Sequence, residues 1–284
     1  MTSEWNATTT ALRAGWARGR IELRQSLTNG ADLFNHAFWP VLMLVTLFFL
    51  RDATFGGYRL ATLALPSILG MNASMAMVTM SQVLTADRED GTLLRAKATP
   101  HGLAAYLVGK VVSVSGGLVI DLAIFLVPAL FLVPGLAVAH ADAWLTVAWV
   151  LALGLVATLP AGAILGSVLT TARGQGLLTL PVLAVIGISG IFYPIASLPH
   201  WLQWTAQVFP IYWLGLGMRS ALLPPEAVAV EIGQSWRHLE TVGVLGVWAL
   251  VGLVVAPIVL RRMAGRESGS RLAERRERAL QRVA

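Results

Sequence analysis

The fold class this sequence predicts is an all-α polytopic membrane protein, and three observations predict it. Hydrophobic residues make up 56% of the 284-residue chain and charged residues only 13%, about half the charged fraction of a soluble domain. Mean hydropathy is +0.69. Six apolar runs approach the roughly 20 residues that cross a bilayer. They lie at about Leu33–Leu50, Leu60–Thr85, Val108–Val133, Trp144–Thr171, Gly176–Tyr193 and Thr241–Leu260.

Ahead of the first run, Leu12, Trp16, Leu23 and Leu27 fall within about 60° on a helical wheel, with Arg13, Arg20 and Arg24 alongside. Residues 1–32 are therefore expected to form an amphipathic interfacial helix. Its apolar stripe sits at headgroup level and its arginines reach for phosphates. A soluble helix packing on a protein partner is the other reading. The first run begins after some 30 residues and has no small-residue cleavage site, so a removable signal peptide is not expected.

The first run is short and carries Pro40; the second and third are long enough to tilt. Residues 33–260 form the membrane unit. Within it, residues 194–240 hold Pro194, Pro199, Pro210, Pro224 and Pro225 together with Trp201, Trp204, Tyr212 and Trp213. The prolines exclude one long helix, and the aromatics favour the membrane interface. This predicts short re-entrant helices between spans five and six. In the basic tail, residues 261–284, Glu267/Arg271 and Glu274/Arg278 are spaced as in a short solvated helix.

Charge sets the orientation. The N-terminal segment, the loop at residues 86–110, Arg173 and the tail hold 17 of the 21 basic residues; Arg51, Arg59, Arg219 and Arg237 hold the rest. The positive-inside bias places both termini in the cytoplasm of a cell inner membrane. It also accounts for the pI of about 10.5, so no nucleic-acid partner is expected.

Motifs of catalysis are missing. No G-x-x-x-x-G-K-[ST] occurs, and the Gly109-Lys110 pair is followed by Val111. His36, His101, His140, His200 and His238 lack ligand spacing, and there is no cysteine. No catalytic residue, metal or cofactor is expected in this chain.

Candidate transport residues lie within the spans. Asp121 sits about 16 Å past Lys110 at 1.5 Å per residue, near the bilayer midplane, where a carboxylate is costly unless protonated, paired or facing water. Asn72, Met75, Thr79 and Gln82 share one sector of about 80° on the second span, suiting either a translocation path or interhelical contacts. Gly162 and Gly166, and Ser113 with Gly117, allow close helix packing.

The loop at residues 86–110 is the one densely charged segment of the hydrophobic middle. A plain connector needs only a few polar residues, so a docking role is expected. Asp87, Arg88, Glu89 and Asp90 form an acidic-basic cluster; Gly91-Thr92 and a short amphipathic turn with Leu93, Leu94 and Arg95 follow, closing at Thr99-Pro100.

The stretches DREDGTLLRAKATP (Asp87–Pro100) and SGIFYPIASLPHWLQWTAQVFPIYWLGLGMRSAL (Ser189–Leu222) make the chain resemble permease subunits of ABC-2 type exporters, close to daunorubicin-resistance permeases. Lys97-Ala98 departs from the pattern, where many relatives carry a bulkier residue or Arg. The resemblance implies half of a transmembrane dimer, paired with a second permease copy or a homologous permease. Two copies of a cytosolic ABC ATPase, carrying Mg-ATP, would engage Asp87–Pro100 as a coupling helix. Phe192, Tyr193, Pro194, Trp201, Trp204, Pro210, Tyr212 and Arg219 would form an outer gate. The cargo implied is a drug, antibiotic or lipid-like amphiphile, with polysaccharide or glycolipid as the alternative. From another class, a proton-coupled transporter using Asp121 predicts several paired intramembrane charges and inverted repeats.

Overall fold

In a computed structural model, residues 2–55, 58–168, 172–191, 193 and 195–266 are described. Helix α1 (Thr2–Thr28) is followed at Asn29, whose side chain caps the Ala31 amide, by α2 (Gly30–Leu50). A two-stranded ribbon pairing Thr54 with Arg59 leads into α3 (Leu60–Glu89). Then come α4 (Thr92–Lys97), α5 (Gly102–Leu132), α6 (Ala141–Val168), α7 (Ala172–Ile188), α8 (His200–Val208), α9 (Pro210–Leu222) and α10 (His238–Arg266).

Five of these, α2, α3, α5, α6 and α10, are long and apolar enough to cross a membrane. The fifth expected span is shorter than read: α7 stops at Ile188 rather than reaching Tyr193. Ser189 bonds back to the Ile186 carbonyl, and Gly190 turns the chain at φ +69°. An apolar run does not by itself show where its helix ends.

Pro40, Pro66, Pro128, Pro160, Pro181 and Pro257 each lie inside a helix. Neighbouring helices and hydroxyl side chains can satisfy the carbonyls such prolines free, as membrane helices allow. Small residues set the crossings, because helices in lipid gain little from hydrophobicity and much from close contact. A Cβ on Gly162 would lie 2.2 Å from the Met77 carbonyl oxygen, and one on Gly166 would lie 2.7 Å from that of Ser81. The GxxxG pair thus presses α6 onto α3 within one chain.

Helix α1 lies along α5. Gly15 and Gly19 meet Val108, Gly109 and Val112, while Leu12 and Trp16 stay exposed. One face of α1 thus packs on its own chain, Leu12 and Trp16 of the expected stripe lie on the open side, and Leu23 and Leu27 are half-buried. The two ends of the bundle differ. Ends of α3, α5, α6 and α10 gather around α4, while α8 and α9 pack at the opposite, aromatic end.

Candidate coupling and translocation site

At the charged end, α3 and α5 run further than their apolar cores, so the connection between them is only residues 90–101. Asp90 accepts the Thr92 amide at 2.7 Å, and Gly91 takes the left-handed conformation (φ +84°) that a side chain would resist. Arg95 donates to the Thr92 hydroxyl at 2.9 Å, and Thr99 donates to the Ala96 carbonyl at 2.9 Å. Helix α4 is thereby held as one compact turn-helix-turn.

Its faces are not those expected. Leu93 is 1% exposed and packs with Met80, Leu84 and Tyr106 of its own chain. Asp87 is buried and accepts from the Tyr106 hydroxyl and Lys110, both at 2.7 Å. Arg88 is buried, with Nη1 reaching the Ser167 carbonyl at 3.5 Å. These three were expected to face a partner and instead face inward, because the last turn of α3 is covered by α5 and α6. Leu94 and Thr92 are half-buried; Glu89, Asp90, Arg95, Thr99 and Pro100 remain exposed.

Sequence reasoning missed the groups that complete this network. Lys110 also reaches Glu22 of α1 at 3.0 Å; Glu22 accepts from Arg18 at 2.9 Å and from the Ser113 hydroxyl at 3.3 Å. Arg18 further stacks over the Tyr106 ring at 5.0 Å. Burial pushes the Glu22 carboxyl up, but the Arg18 and Lys110 contacts outweigh it and hold it below the usual glutamate range. A lysine next to an apolar run and an acid in an amphipathic helix were the only signals available.

Along α3, Asn72 and Met75 are half-buried, and Thr79 and Gln82 are exposed. Asn72 donates to the Ile68 carbonyl at 2.8 Å and approaches the Met43 sulfur at 3.4 Å. The polar sector therefore lies along the open side of the span with the largest buried share. Asp121 stands apart from it. The Asp121 carboxylate meets His36 Nδ1 at 2.5 Å, and His36 Nε2 lies 3.4 Å from the Ser26 hydroxyl. The partner comes from α2, and no spacing in the sequence links His36 to Asp121.

At the aromatic end, the expected gate residues separate into two groups. Trp201 and Trp204 of α8 are 67% and 73% exposed. Pro210, Tyr212 and Arg219 of α9 are buried. Arg219 Nε donates to Glu231 at 2.6 Å, and Nη1 reaches the Gly190 carbonyl at 3.4 Å. The buried Tyr212 hydroxyl has no hydrogen-bond partner among the described residues. Tyr193 is half-buried and donates to the Gly187 carbonyl; Phe192 and Pro194 lie outside the described residues. Glu231, Gln207 and Arg237 were not anticipated. Arg237 donates to Gln207 at 2.7 Å and lies over the Trp213 ring at 4.8 Å.

No individual curated protein matches the sequence significantly. A family model described as ABC-2 type transporter matches residues 11–223. That range runs from α1 to the end of α9 and takes in α4, the polar sector of α3 and Arg219, and it covers well over half of the chain. This multi-pass membrane protein belongs to the ABC-2 type transporter family.

Proposed function

We propose that the chain is the permease half of an exporter that moves a drug, antibiotic or lipid-like amphiphile out of the cell, with Mg-ATP bound and hydrolysed by a separate ATPase subunit. The observation that carries this reading is α4 with the turn before it: the apolar side of α4 is anchored in the chain's own core by Leu93 and Ala96, while Arg95 and, from the preceding turn, Glu89 and Asp90 project outward. An element held on one side and charged on the other suits transmission of a partner's motion. The partner-facing set is narrower than the sequence alone suggested, because Asp87, Arg88 and Leu93 serve the interior.

Two copies of the permease and two of the ATPase would form the working assembly. The polar and methionine-bearing sector of α3 would line the path between permeases, a surface tolerant of mixed ligands. The 17-to-4 division of basic residues supports cytoplasmic termini and a cytoplasmic α4 in the plasma membrane. The daunorubicin-permease resemblance favours an amphiphile over a polysaccharide.

Co-purification of the full chain with its ATPase tests the reading. Glu89→Lys and Arg95→Glu reverse exposed charges without touching the core, so the permease should stay folded in the membrane. Both are expected to lose ATPase capture and transport. Wild-type capture and transport by both variants together would overturn the coupling assignment.

A further inference from the structure

A second feature at the charged end is used by neither the coupling helix nor the polar sector. An open cleft of about 450 Å³ lies where the first turns of α1, the start of α5 and the end of α10 converge. Ala11 and Leu12 form one wall, Val108 forms part of another, and His101 and Arg261 stand at its polar side with Thr8. Among the described residues, no acidic side chain lines it. The His101 ring and Arg261 guanidinium are exposed and have no partner among the described residues.

The cleft's position in the chain sets its depth. Arg261 is the first charge after the uncharged run Thr241–Leu260, and Val108 opens the apolar run of α5. The site therefore straddles the boundary between hydrocarbon and headgroup level, where arginine side chains meet phosphates. Gly15, one turn along α1 from Ala11 and Leu12, seats α1 against Ala105 and Val108, which fixes the wall rigidly.

We infer that this cleft binds the headgroup of an anionic phospholipid. The phosphate sits between His101 and Arg261, and the glycerol and first methylenes lie against Ala11, Leu12 and Val108. A free anion would use only the polar half with Arg261, whereas the apolar wall matches a lipid and places it where lipids are. The inference does not depend on what the protein transports or on its ATPase.

Native mass spectrometry of the full chain released from nanodiscs of equal phosphatidylglycerol and phosphatidylcholine tests it. The wild-type chain should retain phosphatidylglycerol in preference to phosphatidylcholine. Arg261→Gln combined with His101→Gln should lower that retention at least about fivefold, on the scale of one basic group near a membrane surface. Arg13→Gln, which removes an exposed charge of α1 outside the cleft, should leave it unchanged. Added inorganic phosphate should not displace the lipid. The inference is overturned by equal retention of the two lipids, by undiminished retention in the double variant, by an equal loss in Arg13→Gln, or by displacement with inorganic phosphate.

Discussion

Lys110 holds Asp87 at 2.7 Å and in doing so ties the last turn of α3 to α5, with Glu22 of α1 on its other side at 3.0 Å. One ammonium thus joins three helices at the base of α4. The Lys110 and Asp87 side chains are 8% and 13% exposed, so the contact belongs to the interior rather than the solvated surface.

Lys110→Met should leave Asp87 and Glu22 without their shared cation. Removing one partner of a buried pair costs about 3–5 kcal/mol, and unfolding in detergent followed by tryptophan fluorescence should register a loss of that order. Adding Asp87→Asn should recover part of it, because the Tyr106 hydroxyl can still donate to the amide oxygen.

Acid should loosen α1. The Glu22 carboxyl is lowered on folding, so its stabilising contribution is complete above the ordinary glutamate pKa. It is lost as pH falls through the lower folded value. Hydrogen exchange of α1 amides should rise across that acid window in the wild type, and Glu22→Gln should flatten the dependence.

Glu231→Ala should strand the Arg219 guanidinium, whose side chain is 7% exposed, with the Gly190 carbonyl as its remaining hydrogen-bond acceptor among the described residues. A destabilisation of about 3–5 kcal/mol is expected. Arg219→Met with Glu231→Met should be milder than the single change, because no unpaired charge stays buried. Thermal unfolding in nanodiscs reads the difference.

Cysteine labelling can fix the orientation, since the chain has no cysteine of its own. An impermeant maleimide should reach Asp52→Cys and Ala196→Cys in intact cells, and Glu89→Cys only after permeabilisation. Labelling of Glu89→Cys in intact cells would reverse the topology.

Asp121→Asn separates the exporter from a proton-coupled carrier. The amide can still accept a hydrogen bond from His36 but cannot cycle a proton. ATP-driven transport should persist at a large fraction of the wild-type rate. Transport that vanishes in this variant, and in the wild type when the pH gradient is collapsed, would favour the carrier.

The long apolar helices were legible because a hydrocarbon-length run has few other uses: α2, α3, α5, α6 and α10 fall close to their expected ranges. Side-chain partnerships were not legible. His36 and Asp121 lie 85 residues apart, and Arg219 and Glu231 lie 12 apart. Helical periodicity places a residue on a face without saying which helix will cover it. The inward turn of Asp87 and Leu93 was hidden for the same reason. A charge-rich segment between spans looks solvated until the helices beside it prove longer than their apolar cores. The docking of α1 was also concealed, because Gly15 and Gly19 add nothing to an amphipathic count.

Helix α3 is a stiff rod with a rigid fitting at each end. Beyond Pro66 towards the charged end, it has no further proline from Gly70 to Glu89. At Gly70 its backbone touches α9 directly, with a Cβ there falling 2.7 Å from the Gly215 Cα. Two backbones in contact leave no side chain to yield as a cushion. A shift of the Asp87 end along the rod would therefore be delivered to the Gly70 contact with little loss, roughly 26 Å away at 1.5 Å per residue.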